Sequence, residues 1–345
     1  MAEADDYEPS RGGPLVIAHR GASAYRPEHT LSAYALAIAM GADYIEPDLV
    51  CTMDGRLVAR HENDISGTTD VAAHPEFAAR RTTKAIDGVT STGWFVEDFT
   101  LAELRTLRAV ERLPQLRPAN TAFDGRFRIP TLQEVIDLAL DEGVGIYPET
   151  KHPTYHDSIG LPLEGRLVAA LKANGLDDRD APVFIQSFEV ANLRELARQV
   201  DVPLVQLTSA RGRPYDFTVR NDPRTYADLT SRAGLREVAR YADALGPEKS
   251  QIVPRDAHDR LQAPTTLVDD AHRAGLVVHP YTFRPENEFL PEELREGDPA
   301  SPEHRRARGD QPAELSLFYR LGVDGVFADN PDTAVAVRDR MPDAD

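Results

Sequence analysis

Short apolar, β-branched runs alternate along this chain with longer amphipathic segments. The runs Leu15–Ala18, Asp43–Asp48, Gly145–Glu149, Val183–Ser187, Pro203–Leu207, Ala242–Gly246, Leu276–Pro280 and Val323–Ala328 read as strands. Between them, Thr30–Met40, Leu132–Glu142, Leu163–Asn174, Glu189–Val200, Leu235–Ala242, Thr265–Ala274, Pro312–Leu321 and Asp332–Met341 have helical periodicity. Thr30 and Thr131 sit where N-caps belong, and Gly41, Gly143, Gly175, Gly275 and Gly322 mark helix ends. This recurring order predicts an α/β protein, a (β/α)8 TIM barrel. A doubly wound sheet would carry a glycine-rich phosphate turn after its first strand, and Gly21-Ala22-Ser23 lacks that spacing.

Two segments break the rhythm of a barrel spanning 14–341. Residues 64–128, after the second β segment, hold Trp94, Phe95, Phe99 and a short helical run, Leu101–Ala109. A structureless loop of that length is unusual in a compact domain, so a small insertion subdomain is expected. Residues 284–311 are rich in Pro, Glu and Arg and read either as a solvated loop or as a lid over the barrel mouth.

Chemistry-bearing residues gather at the ends of these runs. His19 ends Leu15-Val16-Ile17-Ala18, and His61 ends Leu57-Val58-Ala59-Arg60, read as a further barrel strand. Both imidazoles can exchange protons near neutral pH. Glu46 and Asp48, two apart around Pro47, project to one side of their strand and need a cation between them. Alternatively, one of them faces solvent and pairs with Arg60 or Arg56. Glu149 and Lys151 repeat the spacing, as a cation ligand and an anion partner or as a surface ion pair. Three acids from two strand ends make an oxygen-rich site suited to Ca2+ or Mg2+, whereas the absence of His-x-His argues against zinc. Arg20 can hold a phosphate oxygen or orient a carboxylate. Among the other histidines, which include His29 and His152, only His279 shares the strand-end context.

A formal net charge of -18 on 345 residues argues against nucleic acid and against anionic membranes as partners. No apolar run is long enough to predict stable membrane insertion. Cys51 is the only cysteine, so no intrachain disulfide forms, and it reads as a small buried side chain. Met1 to Gly13 is acidic and polar, without the basic and apolar regions of a leader, so the chain as it stands reads as cytoplasmic. Export is the alternative if a leader precedes it. The sequence does not fix the oligomeric state.

Taken in order, His19-Arg20-Gly21, Pro27-Glu28-His29-Thr30, Glu46-x-Asp48, Met53-Asp54-Gly55, His61, Glu149-x-Lys151 and Gln186-Ser187-Phe188 resemble the glycerophosphodiester phosphodiesterase family, over roughly Pro14 to Met341. His29, where the family often has Asn, Tyr281-Thr282-Phe283 and the insertion after His61 resemble its larger, periplasmic-type branch. His61-Glu62 departs from the commoner His-Asp pair and leaves the role of Glu62 open.

The resemblance implies hydrolysis of a small-molecule glycerophosphodiester to sn-glycerol 3-phosphate and an alcohol. It implies one divalent cation on Glu46, Asp48 and Glu149, phosphate binding by Arg20 and Lys151, and proton exchange by His19 and His61 through a cyclic phosphate. Glu28 is expected in a supporting role, toward His19 or Arg20, with Gln186, Phe188, Tyr281 and Phe283 shaping the pocket or packing the rim. A phospholipase D-like or wall-polymer phosphodiesterase with the same site is the nearest alternative. A non-catalytic binding barrel and a metal-dependent amidohydrolase are more distant ones.

Overall fold

The computed structural model describes residues 13–341. Apart from Gly13, the stretch read for a leader lies outside them. The chain forms β1 (Leu15–His19), β2 (Tyr44–Glu46), β3 (Asp48–Cys51), β4 (Leu57–Ala59), β5 (Thr82–Ile86), β6 (Val89–Gly93), β7 (Gly145–Ile146), β8 (Glu149–Thr150), β9 (Ile185–Ser187), β10 (Leu204–Thr208), β11 (Ala244–Pro247), β12 (Val277–Val278) and β13 (Gly325–Ala328). Pro47 splits one barrel strand into β2 and β3, and Pro148 splits another into β7 and β8, because neither proline can donate to the ladder.

All the barrel pairings are parallel. β1 pairs with β13 and β2, β2 with β7, β3 with β8, β8 with β9, and β9 through β12 follow in order. A parallel bridge between Phe283 and Ala328 joins the chain beyond β12 to β13 and closes the ring. The fold is a (β/α)8 barrel.

Side-chain parity explains both core layers. Leu15, Ile17, Tyr44, Tyr147, Phe184, Val205, Ala244 and Phe327 fill the interior. Val16, Ala18, Ile45 and Ile185 point outward and pack beneath the helices. Two residues beyond the interior set come His19, Glu46, Glu149, Gln186 and Asp329, so the same alternation that fills the barrel puts polar groups at its C-terminal mouth.

One expected strand is corrected. β4 runs antiparallel to β3, pairing Leu49 with Ala59 and Cys51 with Leu57. It is the return arm of a hairpin and not a barrel strand, and Arg60 N donates to Asp48 O at 2.9 Å, which brings His61 back to the rim. Cys51 is buried in this hairpin, and burial pushes its thiol up to about 11, consistent with a packing role. Within 64–128, the β5–β6 hairpin, a short helix Leu101–Leu104 and several tight turns surround their own apolar cluster of Ile65, Val71, Phe77, Val96 and Phe99. That cluster rests on Val50 and Val58.

Thr30 caps the helix Leu31–Ala39 by accepting from Ala33 N, and Thr131 forms a reciprocal capping box with Glu134. The helix expected over Leu235–Ala242 instead spans Arg232–Val238, because Ser231 caps it by accepting from Gly234 N. Gly21 takes φ +84°, and a Cβ there would lie 2.6 Å from the Ala33 carbonyl carbon. Gly21→Ala is therefore expected to cost about 1–3 kcal/mol through strain and overpacking, read as a lower urea midpoint with an unchanged slope.

Candidate active site

A cavity of about 620 Å3 opens at the barrel mouth and is lined by His19, Arg20, Glu46, His61, Glu149 and Lys151, among others. Asp48 lies beneath them, almost completely buried. The carboxylates of Glu46, Asp48 and Glu149 each offer an oxygen within 4.8 Å of the others. None of the three pairs with Arg60 or Arg56. Arg60 is buried and donates to the Glu28 carbonyl at 3.1 Å.

The surrounding contacts fix each acid. Glu46 accepts from the Arg20 backbone N–H at 2.7 Å and from Gln186 Nε2 at 3.1 Å. Asp48 Oδ2 lies 2.8 Å from His29 Nε2 and 3.4 Å from Arg20 Nε. Glu149 pairs with Lys151 at 3.0 Å. Arg20 and His29 sit at φ +59° and +53°, strained for residues other than glycine, and His29 N donates to Arg20 O at 3.1 Å. This cross-bond holds two kinked segments together and turns both side chains toward Asp48.

The two candidate histidines have matching environments. His19 Nδ1 lies 2.6 Å from Asp329 Oδ1, and His61 Nδ1 lies 2.8 Å from Glu62 Oε1. Burial, reinforced by the Arg20 charge against the pull of Asp329, lowers His19 to about 4. Burial, with Arg20 and Lys151 adding to it, lowers His61 to about 3. With neither ion nor substrate bound, both rings are thus neutral at pH 7. Each donates its Nδ1 proton to a carboxylate, which leaves Nε2 as the basic atom.

Glu28 serves Arg20 and not His19. It accepts from Arg20 Nη1 at 3.1 Å and from Arg112 Nε at 2.6 Å. Gln186, Phe188 and Tyr281 line the cavity, with Lys151 Nζ 5.8 Å from the Phe188 ring centre. Phe283 does not reach the cavity. It is fully buried against Phe318, because its parity turns it toward the helices. His279 is buried as well, with Nδ1 2.8 Å from the Tyr147 hydroxyl. Arg284 and Phe289, from the 284–311 segment, contribute to the cavity wall.

The sequence profile of the glycerophosphoryl diester phosphodiesterase family matches residues 19–333, the greater part of the chain. The chain belongs to that family. A glycerophosphodiester phosphodiesterase of Arabidopsis thaliana is 38% identical over 333 residues, covering 92% of this chain and 83% of the relative. One from Haemophilus influenzae is 32% identical, covering 93% and 88%. In three dimensions, an Oleispira antarctica phosphodiesterase solved with its product sn-glycerol-3-phosphate superposes with a TM-score of 0.59 at 22% identity, over 94% of this chain and 96% of that one. Members of this family are phosphodiester-hydrolysing enzymes, and so is this protein.

The acidic cluster fits a divalent cation. Asp48 Oδ1 and Gln186 Oε1 are buried without a hydrogen-bond partner, and each is an oxygen of the kind hard cations bind. Burial, then the neighbouring Asp48, pushes Glu46 well above its usual range. Burial, helped by Asp48 and opposed by Lys151, pushes Glu149 from 4.5 up to about 8. Asp48 stays low despite its burial, because His29 donates to it and Lys151 supplies positive charge.

Sequence reasoning missed His29 and Asp329. Asp329 binds His19, Arg117 at 2.6 Å and Arg284 at 3.1 Å. Its signal was its position, two residues beyond the interior Phe327 and just past the end of the strand beside β1. His29 stands in a turn, where no periodicity exposes a contact with Asp48.

With its carboxyl pushed up to about 8, Glu149 is expected to hold a proton in the ion-free protein at pH 7, and binding a divalent ion there should release it. Apparent affinity is then expected to rise with pH through the range up to about 8. Between 4.5 and about 8 the ion-free folded state holds a proton that the unfolded chain has lost, so its stability falls as pH rises through that window. Calorimetric ion titrations in buffers of different ionisation enthalpy measure the release directly. Ion binding without any proton release would contradict this reading.

Proposed function

We propose that the enzyme hydrolyses a glycerophosphodiester to sn-glycerol 3-phosphate and the free alcohol, through a cyclic phosphate formed by the substrate's own glycerol 2-hydroxyl. The observation that carries this reading is the pairing of two neutral, carboxylate-anchored histidines with an acid triad in one cavity. No serine, threonine or cysteine nucleophile is needed, because an adjacent hydroxyl already has a high effective concentration at phosphorus.

Arg20 and Lys151 offset the charge of the phosphodiester. Glu28 holds one face of the Arg20 guanidinium, and Glu149 holds Lys151 at 3.0 Å, so both cations arrive oriented. One of the pair His19 and His61 takes the proton of the attacking hydroxyl at Nε2. The other enters the step as an imidazolium, having taken an Nε2 proton from solvent beside the bound phosphodiester's negative charge, and gives that proton to the departing alkoxide. When water opens the cyclic phosphate, the two exchange roles. Asp329 and Glu62 hold the Nδ1 protons throughout and stabilise the imidazolium while it exists. Glu46, Asp48 and Glu149 would hold the divalent ion. A bound Ca2+ or Mg2+ would supply positive charge that offsets the charge of the phosphodiester.

Phosphorus NMR of the purified enzyme with glycerophosphocholine, with ion and then with chelator, is expected to show ion-dependent growth of glycerol 3-phosphate and a transient cyclic phosphate. Product formed at full rate in chelator would sink the metal assignment. His19→Ala and His61→Ala should each lower kcat by about 10^3-fold or more with folding intact, since each removes one proton carrier. Glu46→Gln is expected to weaken ion binding first, with activity returning at high ion concentration.

A further inference from the structure

We infer that His152 and Asp87 are positioning residues for His61, so that the β5–β6 hairpin of the insertion is a working part of the active site. The inference rests on the proposed role of His61.

The contacts run outward from the barrel mouth without a gap. His61 Nδ1 lies 2.8 Å from Glu62 Oε1, and the other oxygen of Glu62 lies 3.1 Å from His152 Nε2. His152 Nδ1 lies 2.6 Å from Asp87 Oδ2. A ring with both nitrogens on carboxylates donates from both and is an imidazolium. The local charges therefore alternate: Asp87 negative, His152 positive, Glu62 negative, then neutral His61. Burial opposes that charge on His152, but the bonds to Asp87 and Glu62 outweigh it and raise the ring to about 9.

Glu62 needs this help. About half of its side chain is exposed, so packing alone does not set its rotamer. His152 holds the carboxylate from behind and so fixes the tautomer and the tilt of His61. The backbone of His152 has been bent to do it. This residue sits at φ +48°, ψ +48°, immediately before Pro153, a conformation that costs a non-glycine residue energy.

Asp87 occupies the first position of the tight Asp87-Gly88 turn between β5 and β6, with φ +49° and +80°. Turn geometry explains a residue of the Asn or Asp type there. It does not explain a carboxylate reaching across to a histidine on the barrel. The hairpin is held independently by its own ladder and by Lys84, which bonds Glu97 at 2.9 Å and Asp98 at 2.7 Å. The hairpin tip can therefore be altered without removing its support.

A double-mutant cycle on the full-length enzyme tests this. Asp87→Asn keeps a residue suited to the turn and removes one negative charge. It should lower kcat for glycerophosphocholine about tenfold and leave KM within about twofold, as should His152→Gln. Glu62→Gln should lower kcat by about 10–100-fold, and adding Asp87→Asn or His152→Gln to it should cost nothing more. Two-bond nitrogen-15 NMR of His61 should show the Nδ1–H tautomer in the parent and a mixture of tautomers in Asp87→Asn. Losses that simply multiply, an unchanged His61 spectrum, or full activity of Asp87→Asn would overturn the inference. A parent enzyme inactive on every glycerophosphodiester would instead overturn the function on which it rests.

Discussion

Three carboxylates forced together in a dry barrel mouth repel one another, and much of the surrounding structure answers that repulsion. Glu46, Asp48 and Glu149 are all more than nine-tenths buried, within 4.8 Å of one another at their nearest oxygens. At low effective dielectric such a cluster cannot stay fully ionised without cations. The protein supplies two of its own, Arg20 and Lys151, and leaves oxygens of Asp48 and Gln186 without partners. A divalent ion would complete the set. In the proposed reaction the same positive charges that quiet the acids would face the phosphodiester, so the features that make the site costly to fold would also make it competent.

That cost is visible in the backbone. Arg20, His29 and His152 all take left-handed conformations, and all three direct polar side chains toward the cavity or its acids. Interior packing layers sit just below and hold a rigid frame against which these bends are maintained. The hydrogen bonds at Nδ1 of His19 and His61 follow the same logic, since each ring is fixed by a carboxylate that is itself held by further cationic groups.

Much of this was legible in the chain. Strand parity alone places His19, Glu46 and Glu149 inside the mouth, because each lies two residues beyond an interior apolar residue. What parity cannot read is anything outside a strand. His61 reaches the rim on a hairpin return, and only the antiparallel register of β4 shows how it arrives. His29 and His152 stand in turns, and their partners are 19 and 65 residues away, so no local pattern exposes them. Phe283 failed in the opposite direction: the same alternation that points its neighbours inward sends it to the helix layer.

We propose that one divalent ion sits among Glu46, Asp48 and Glu149 and makes the cluster work. Anomalous diffraction from crystals of the active enzyme grown with Mn2+ locates such an ion directly. One strong peak is expected at about 2.0–2.5 Å from oxygens of all three residues. A peak bonded elsewhere, with these three carboxylates left uncoordinated, would contradict it.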